Sequence, residues 1–154
     1  MDLESVALAY EAMPSDPSNP VVQASYKAFN EALAAQFAAI PVKVAFTASD
    51  PYKTSGDLFA AIDGGSYQVF TGGEPHPLLD TLKFRAVHDY IAHYLPRNSF
   101  GPKGEFAAWL AHRATLPAAA HMALAIETRG QSAFYFTRGQ YAPQKAGIFP
   151  AELC

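Results

Sequence analysis

The run PAAAHMALAIE, residues 117–127, is apolar at almost every position until it ends on Glu127. A helix of that composition has little to offer water, so it is buried on most sides and the rest of the chain must be folded around it. At 154 residues there is enough chain for one domain with a real core and too little for two comfortable ones. Glu127 itself is a problem that the fold must solve. A carboxylate at the end of a buried helix is costly unless a cation or several hydrogen-bond donors meet it. A metal ion, Arg129 or Arg85 could each serve.

Around that helix the chain divides at its prolines and glycines. Leu3 to Met13 reads as a short helix, ended by PSDPSNP. Asn19 can cap the next helix, with Pro20 at its first position, where a missing N–H costs nothing. Val22, Tyr26, Phe29, Leu33 and Phe37 then recur at helical spacing, and Pro41 closes the element. VKVAFTA, residues 42–48, alternates as a strand does, with Val42, Val44 and Phe46 on one face. A short helix over Ser55 to Ile62 and the turn DGG lead into SYQVFTGG, a second strand bounded by glycine. Beyond Pro77 the pattern is helical: Leu78 to Leu95, Lys103 to Thr115 and Pro117 to Thr128, with breaks at PRNSFGPKG, Pro117 and Gly130. The tail from Arg138 is irregular and rich in Pro and Gly. The expected architecture is one helix-dominated α+β domain over residues 1–154, with a small two-strand element and a helical C-terminal half.

Composition excludes several classes of function. A formal net charge of −3 gives no electrostatic reason to expect nucleic acid or an anionic membrane as partner. Cys154 is the only cysteine, so an intrachain disulfide and a cysteine-rich zinc site are both out of reach. The N-terminus lacks a basic n-region, and no stretch approaches the roughly 18 apolar residues of a membrane span. A cytoplasmic protein is the simplest fit. No nucleophile elbow, phosphate-binding glycine loop or dinucleotide fingerprint is present.

The polar residues that remain collect on the later helices. His88 and His93 lie five apart in FRAVHDYIAH. On an α-helix, five residues turn through roughly 500°, leaving the two rings about 140° apart. They share a face only if the helix has a local bulge or loosens toward its end, and Pro96 marks an end three residues on. Asp89 and His93 share a face at i, i+4. Glu105 and His112, seven apart, also lie on one face and can line the same pocket as the histidine pair. Arg129 and Gln131, beside Glu127 in ETRGQSAFYF, read as a pocket wall, or as a helix C-terminus with an arginine near the negative end of its dipole. Trp109 and His121 read as core, and His76, between prolines in a loop, carries no assigned role.

Together, HDYIAH followed 34 residues later by Glu127 resembles the iron site of the pterin-dependent aromatic amino acid hydroxylases. That family carries H-[ED]-x-x-G-H on one helix and a glutamate ligand on another. This chain has Ala92 where the family has Gly, and the comparison extends only from Leu78 to Phe136. The resemblance implies His88, His93 and Glu127 as metal ligands, with Asp89 in place of the acid near the pterin. FRAVHD, GE and ETRGQ are also similar to elements of small uncharacterised phage-borne proteins.

Two imidazoles and one carboxylate on one face leave about three metal positions open, which suits Fe(II) and O₂ with a pterin or other reductant. The same ligands also suit Zn²⁺ and a hydrolase, with Asp89 or Glu105 as base. Asp80, Asp89 or Glu105 would hold the second ring nitrogens of the histidines. Arg85, His112, Arg129 and Gln131 would contact a small-molecule substrate, and Phe134, Tyr135 and Phe136 would supply an apolar wall. A protein whose buried polar network binds no metal is the remaining alternative.

Overall fold

Asn19 and Pro20 start the longest helix as their chemistry requires. The Asn19 side chain accepts from the amides of Val21 and Val22, and Pro20 occupies the first turn. The computed structural model describes residues 2–154. In chain order it has α1 (Leu3–Ala12), α2 (Pro20–Ala38), β1 (Val44–Thr47), α3 (Ser55–Asp63), β2 (Tyr67–Phe70), α4 (Thr81–His88), α5 (Pro102–Arg113), α6 (His121–Ala125) and α7 (Gln131–Arg138). A π-helical turn, Asp89–Tyr94, continues α4, and a second, Ile126–Gly130, joins α6 to α7. The fold is α+β and helix-dominated, with a two-strand element and a largely helical C-terminal half.

The two strands pair in parallel, Val44 opposite Tyr67 through Thr47 opposite Phe70, so α3 is the crossover of a βαβ unit. Burial alternates along β2, where Tyr67 and Val69 point inward. The inward face expected for β1 does not extend to Phe46, which is 47% exposed.

α6 is as buried as its composition demands: Ala123, Leu124, Ala125 and Ile126 are all at 0% exposure. α2 packs across it with Val22, Tyr26, Phe29 and Leu33, and the buried Ser25 hydroxyl accepts from the amide of Ala123. α1 docks on α7, where Arg138 forks onto Glu4 and Glu11. A smaller core under the strands joins Leu58, Ile62, Tyr67, Val69 and Ala86.

Two boundaries differ from the sequence expectation. The helix through Glu127 does not break at Gly130. It widens by one turn and continues as α7, with Gly139 (φ 71°) ending it. Gly130 is present because a Cβ there would lie 2.7 Å from the ring of Tyr10, so it is a packing residue and not a stop. The helix over 78–95 begins only at Thr81, capped by Asp80, and changes pitch at Asp89. No helix among the described residues is long and apolar enough to cross a membrane.

Candidate metal centre

His93 follows His88 by five positions, a little over one turn when hydrogen bonds run i→i+5. The π turn therefore superposes rings that a regular α-helix would splay apart, and their centroids lie 5.1 Å apart. The wider pitch persists to the end of the element, where the amides of Leu95 and Asn98 reach the carbonyls of Tyr90 and His93. Just upstream, the Tyr67 hydroxyl donates to the Ala86 carbonyl at 2.6 Å. The bulge that the spacing requires is thus present, and it is tied to the sheet.

The carboxylate that meets these rings is Glu105. Its Oε2 lies 3.5 Å from Nε2 of His93, and one ligand atom from each of His88, His93 and Glu105 falls within 4.8 Å of the other two. It is the one such group among the described residues. Gly104 makes the approach possible. A Cβ there would fall 2.0 Å from the Ser99 carbonyl, so only glycine lets the first turn of α5 close against the loop after Arg97. Both histidines are buried, at 7% and 1% exposure, and Glu105 is partly open to solvent.

Each ring is held by its far nitrogen. Nδ1 of His93 lies 3.0 Å from the Asn98 carbonyl, which can only accept, so Nδ1 carries a proton and Nε2 is the nitrogen turned to Glu105. Nδ1 of His88 lies 3.1 Å from Nδ1 of His112. The acids expected to hold these nitrogens, Asp80, Asp89 and Glu105, do not do so: Asp80 caps α4, and a backbone carbonyl and a third histidine take their place. Phe84, Phe100 and Phe29 flank the three rings.

The electrostatics follow from this burial. Desolvation holds His88 well below the usual histidine range, with His93 and His112 adding like-charge repulsion. Desolvation alone brings His112 down to about 4. On His93 burial also opposes the charge, but Glu105, Asp89 and the Asn98 carbonyl outweigh it and the net direction is up. Asp89 is pushed up to about 6, mainly by burial. The cluster thus favours one positive charge between His93 and Glu105, the place a divalent metal would take. The donor set, two imidazoles and a carboxylate, suits Fe(II) or Zn²⁺.

Glu105 of the triad lines a cavity of about 450 Å³, and the two histidines lie behind its wall. Arg85, Asp89, Glu105, Glu127, Gln131 and Tyr135 are on its wall. Arg85 donates to the Phe70 carbonyl and lies over the Phe70 ring. Of the aromatic wall expected from residues 134–136, Tyr135 and Phe136 face the cavity and Phe134 turns into the core beside Tyr10.

Three sequence expectations are redirected. Glu127 lies outside the histidine cluster: its Oε1 accepts from Tyr26 and His76, each at 2.6 Å, and its Oε2 from Gln131 at 2.9 Å. Donors, not a cation, therefore balance this acid. His76 is part of that solution. The amides of Leu78 and Leu79 donate to its Nδ1, which leaves Nε2–H to face Glu127. Burial and Glu127 both raise Tyr26 well above the ordinary tyrosine range, so its hydroxyl stays a donor. Arg129 does not face the triad's cavity. It donates to the Leu153 carbonyl and stacks on Trp109, lining a separate apolar cavity. His112 is completely buried behind His88, out of reach of a substrate.

Tyr26, His76 and Asn98 carried no sequence signal for these roles, because each acts through a partner distant in sequence or through its backbone. Comparison of the chain with protein-family models, with curated proteins and with solved structures gives no match. The buried His-His-Glu triad is consistent with a metal-binding catalytic site, and it stands on geometry alone.

Proposed function

We propose that the chain is a non-haem Fe(II)-dependent oxygenase of small molecules, with the metal held by His88, His93 and Glu105. The observation that supports this reading is the π turn. It aligns two buried imidazoles with a partly exposed carboxylate, and that carboxylate lines a cavity. One carboxylate and two neutral ligands on one face suit Fe(II) activation of O₂. Hydroxylation places one oxygen atom in the substrate and reduces the other to water, drawing two electrons and two protons from a reductant of the pterin class or another two-electron donor.

The chain's own residues do the rest. Arg85 and Gln131, both on the cavity wall, orient a substrate, and Tyr135 packs on its apolar part. Asp89, on the same wall beside His88, is placed to hold or pass a proton. Glu127, already given three donors, shapes the wall rather than ligating the metal.

The test is metal analysis of the purified protein after anaerobic Fe(II) reconstitution, with His88→Ala, His93→Ala and Glu105→Ala in parallel. Stoichiometric iron in wild type, lost in all three variants, and reductant-dependent oxygen consumption are the expected results. Zinc retained through reconstitution and lost in the same variants would replace the oxygenase with a hydrolase. No metal in wild type would sink both.

A further inference from the structure

Behind His88 the hydrogen bonds form a chain whose directions can be assigned from one end. The starting point is the His112 carbonyl, which accepts and cannot donate. The Thr115 hydroxyl lies 2.7 Å from it and must give it its proton. That leaves the Thr115 oxygen as an acceptor toward the Gln36 side chain at 2.8 Å, so the Gln36 amide turns its NH₂ to Thr115. Its oxygen is then fixed toward Nε2 of His112, 3.2 Å away. An amide that could otherwise be drawn either way round is oriented by a backbone group. Because Gln36 Oε1 only accepts, the His112 proton is on Nε2, and its Nδ1 is a bare acceptor. His88, 3.1 Å away, then carries its proton on Nδ1.

We infer that Gln36 and His112 are positioning residues that select the Nδ1–H tautomer of His88 and so aim its Nε2 lone pair into the triad. Reversing the first direction reverses every one after it. A donor in place of Gln36 Oε1 would require a bare Nε2 on His112, hence His112 Nδ1–H, a bare Nδ1 on His88 and a proton on the nitrogen meant for the metal. The two links differ in exposure in a way that makes the idea testable: His112 is at 0% exposure, while Gln36 is only half-buried and Thr115 is exposed, so position 36 can be changed with little disturbance to the core.

The affinity part of this proposal rests on the metal-binding reading; the tautomer part does not. The experiment is ¹⁵N NMR of histidine-labelled, metal-free full-length protein, comparing wild type, Gln36→Glu and Gln36→Lys, followed by titration of each with Zn²⁺ alone. Wild type and Gln36→Glu are expected to show a protonated Nδ1 and a bare Nε2 on His88, and Gln36→Lys the reverse. Zn²⁺ binding should weaken about 10- to 100-fold in Gln36→Lys, the range seen when groups behind a ligand histidine are lost, and should hold or tighten in Gln36→Glu. A wild-type His88 protonated on Nε2, or one tautomer in all three proteins, overturns the proposal. If no Zn²⁺ binds to wild type while the tautomers follow the expected pattern, the relay stands and the metal reading alone has failed.

Discussion

Asp89–Tyr94 ends α4 and Ile126–Gly130 joins α6 to α7, each with one wide turn, and beside each a side-chain hydroxyl reaches a carbonyl just upstream: Tyr67 to Ala86, Thr128 to Leu124. Such turns recur at functional sites, and both here carry residues that line one cavity. Their chemical states differ. In the first turn the far nitrogen of His93 is held by a backbone carbonyl, and the near one faces only Glu105, itself a candidate ligand. In the second, both oxygens of Glu127 are already taken by Tyr26, His76 and Gln131. A change of helical pitch therefore makes a position available, and the hydrogen bonds around it decide whether a ligand can use it.

The sharpest way to break this contrast is to neutralise one carboxylate at a time. Glu105→Gln should weaken metal binding about 100-fold or more, a loss on the order of 3 kcal/mol. Glu127→Gln should leave metal binding within about threefold. It should instead cost about 1–3 kcal/mol of stability, because its new NH₂ must face either the Gln131 amide or the Tyr26 and His76 donors. Metal titration and chemical denaturation read the two effects separately, and a reversal of the pattern would restore Glu127 as the ligand.

Acid should act on the first turn through its neighbour His112. A folded pKa of about 4, below the unfolded value of 6.5, means stability that is present above pH 6.5 and lost as pH falls toward 4. Measured without metal, His112→Gln should gain on wild type over that window by on the order of 3 kcal/mol. A constant difference between the two proteins across that range would show that His112 is not held neutral by burial.

Gly130→Ala tests the second turn, since the added methyl would overlap Tyr10. A loss of about 1–3 kcal/mol with metal affinity unchanged is expected from thermal unfolding and titration. The smallest effect is expected at the end of the first turn. Asn98→Ala removes the bond from its side chain to the Ala92 carbonyl and keeps the backbone carbonyl that holds His93, so about 1 kcal/mol of stability should go and metal affinity should shift only a few-fold. A larger affinity loss would mean that the side chain, and not the backbone, positions His93.

The features legible in the sequence were the local ones. Asn19 and Pro20 announce α2, the apolar run after Pro117 announces a buried helix, and the five-residue spacing of His88 and His93 sets the condition, a bulge or a loosened end, under which they share a face. The misreadings were long-range. Gly130 looks like a stop because nothing nearby reveals that Tyr10 fills the space beside it. Glu127 looks like an acid in need of a metal because Tyr26 and His76, 101 and 51 residues away, are invisible to any local pattern. Glu105, only 12 positions beyond His93, was assigned a catalytic role and not a ligand's. Its position depends on how tightly Gly104 lets α5 close on Ser99, which is a property of backbone packing and not of residue type.

The docking of α1 on α7 also bears on how the molecule is made. Arg138 grips Glu4 and Glu11, and Lys145 reaches the carbonyls of Tyr10, Glu11 and Met13, all across more than 120 residues of intervening chain. During synthesis α1 would emerge well before α7 and wait, with Val6 and Tyr10 uncovered, until α7 appeared. Gln131 and Tyr135 of the cavity wall sit on α7 as well. The step that shelters α1 is therefore also the step that finishes the cavity, so the cavity wall is complete only once this core is closed.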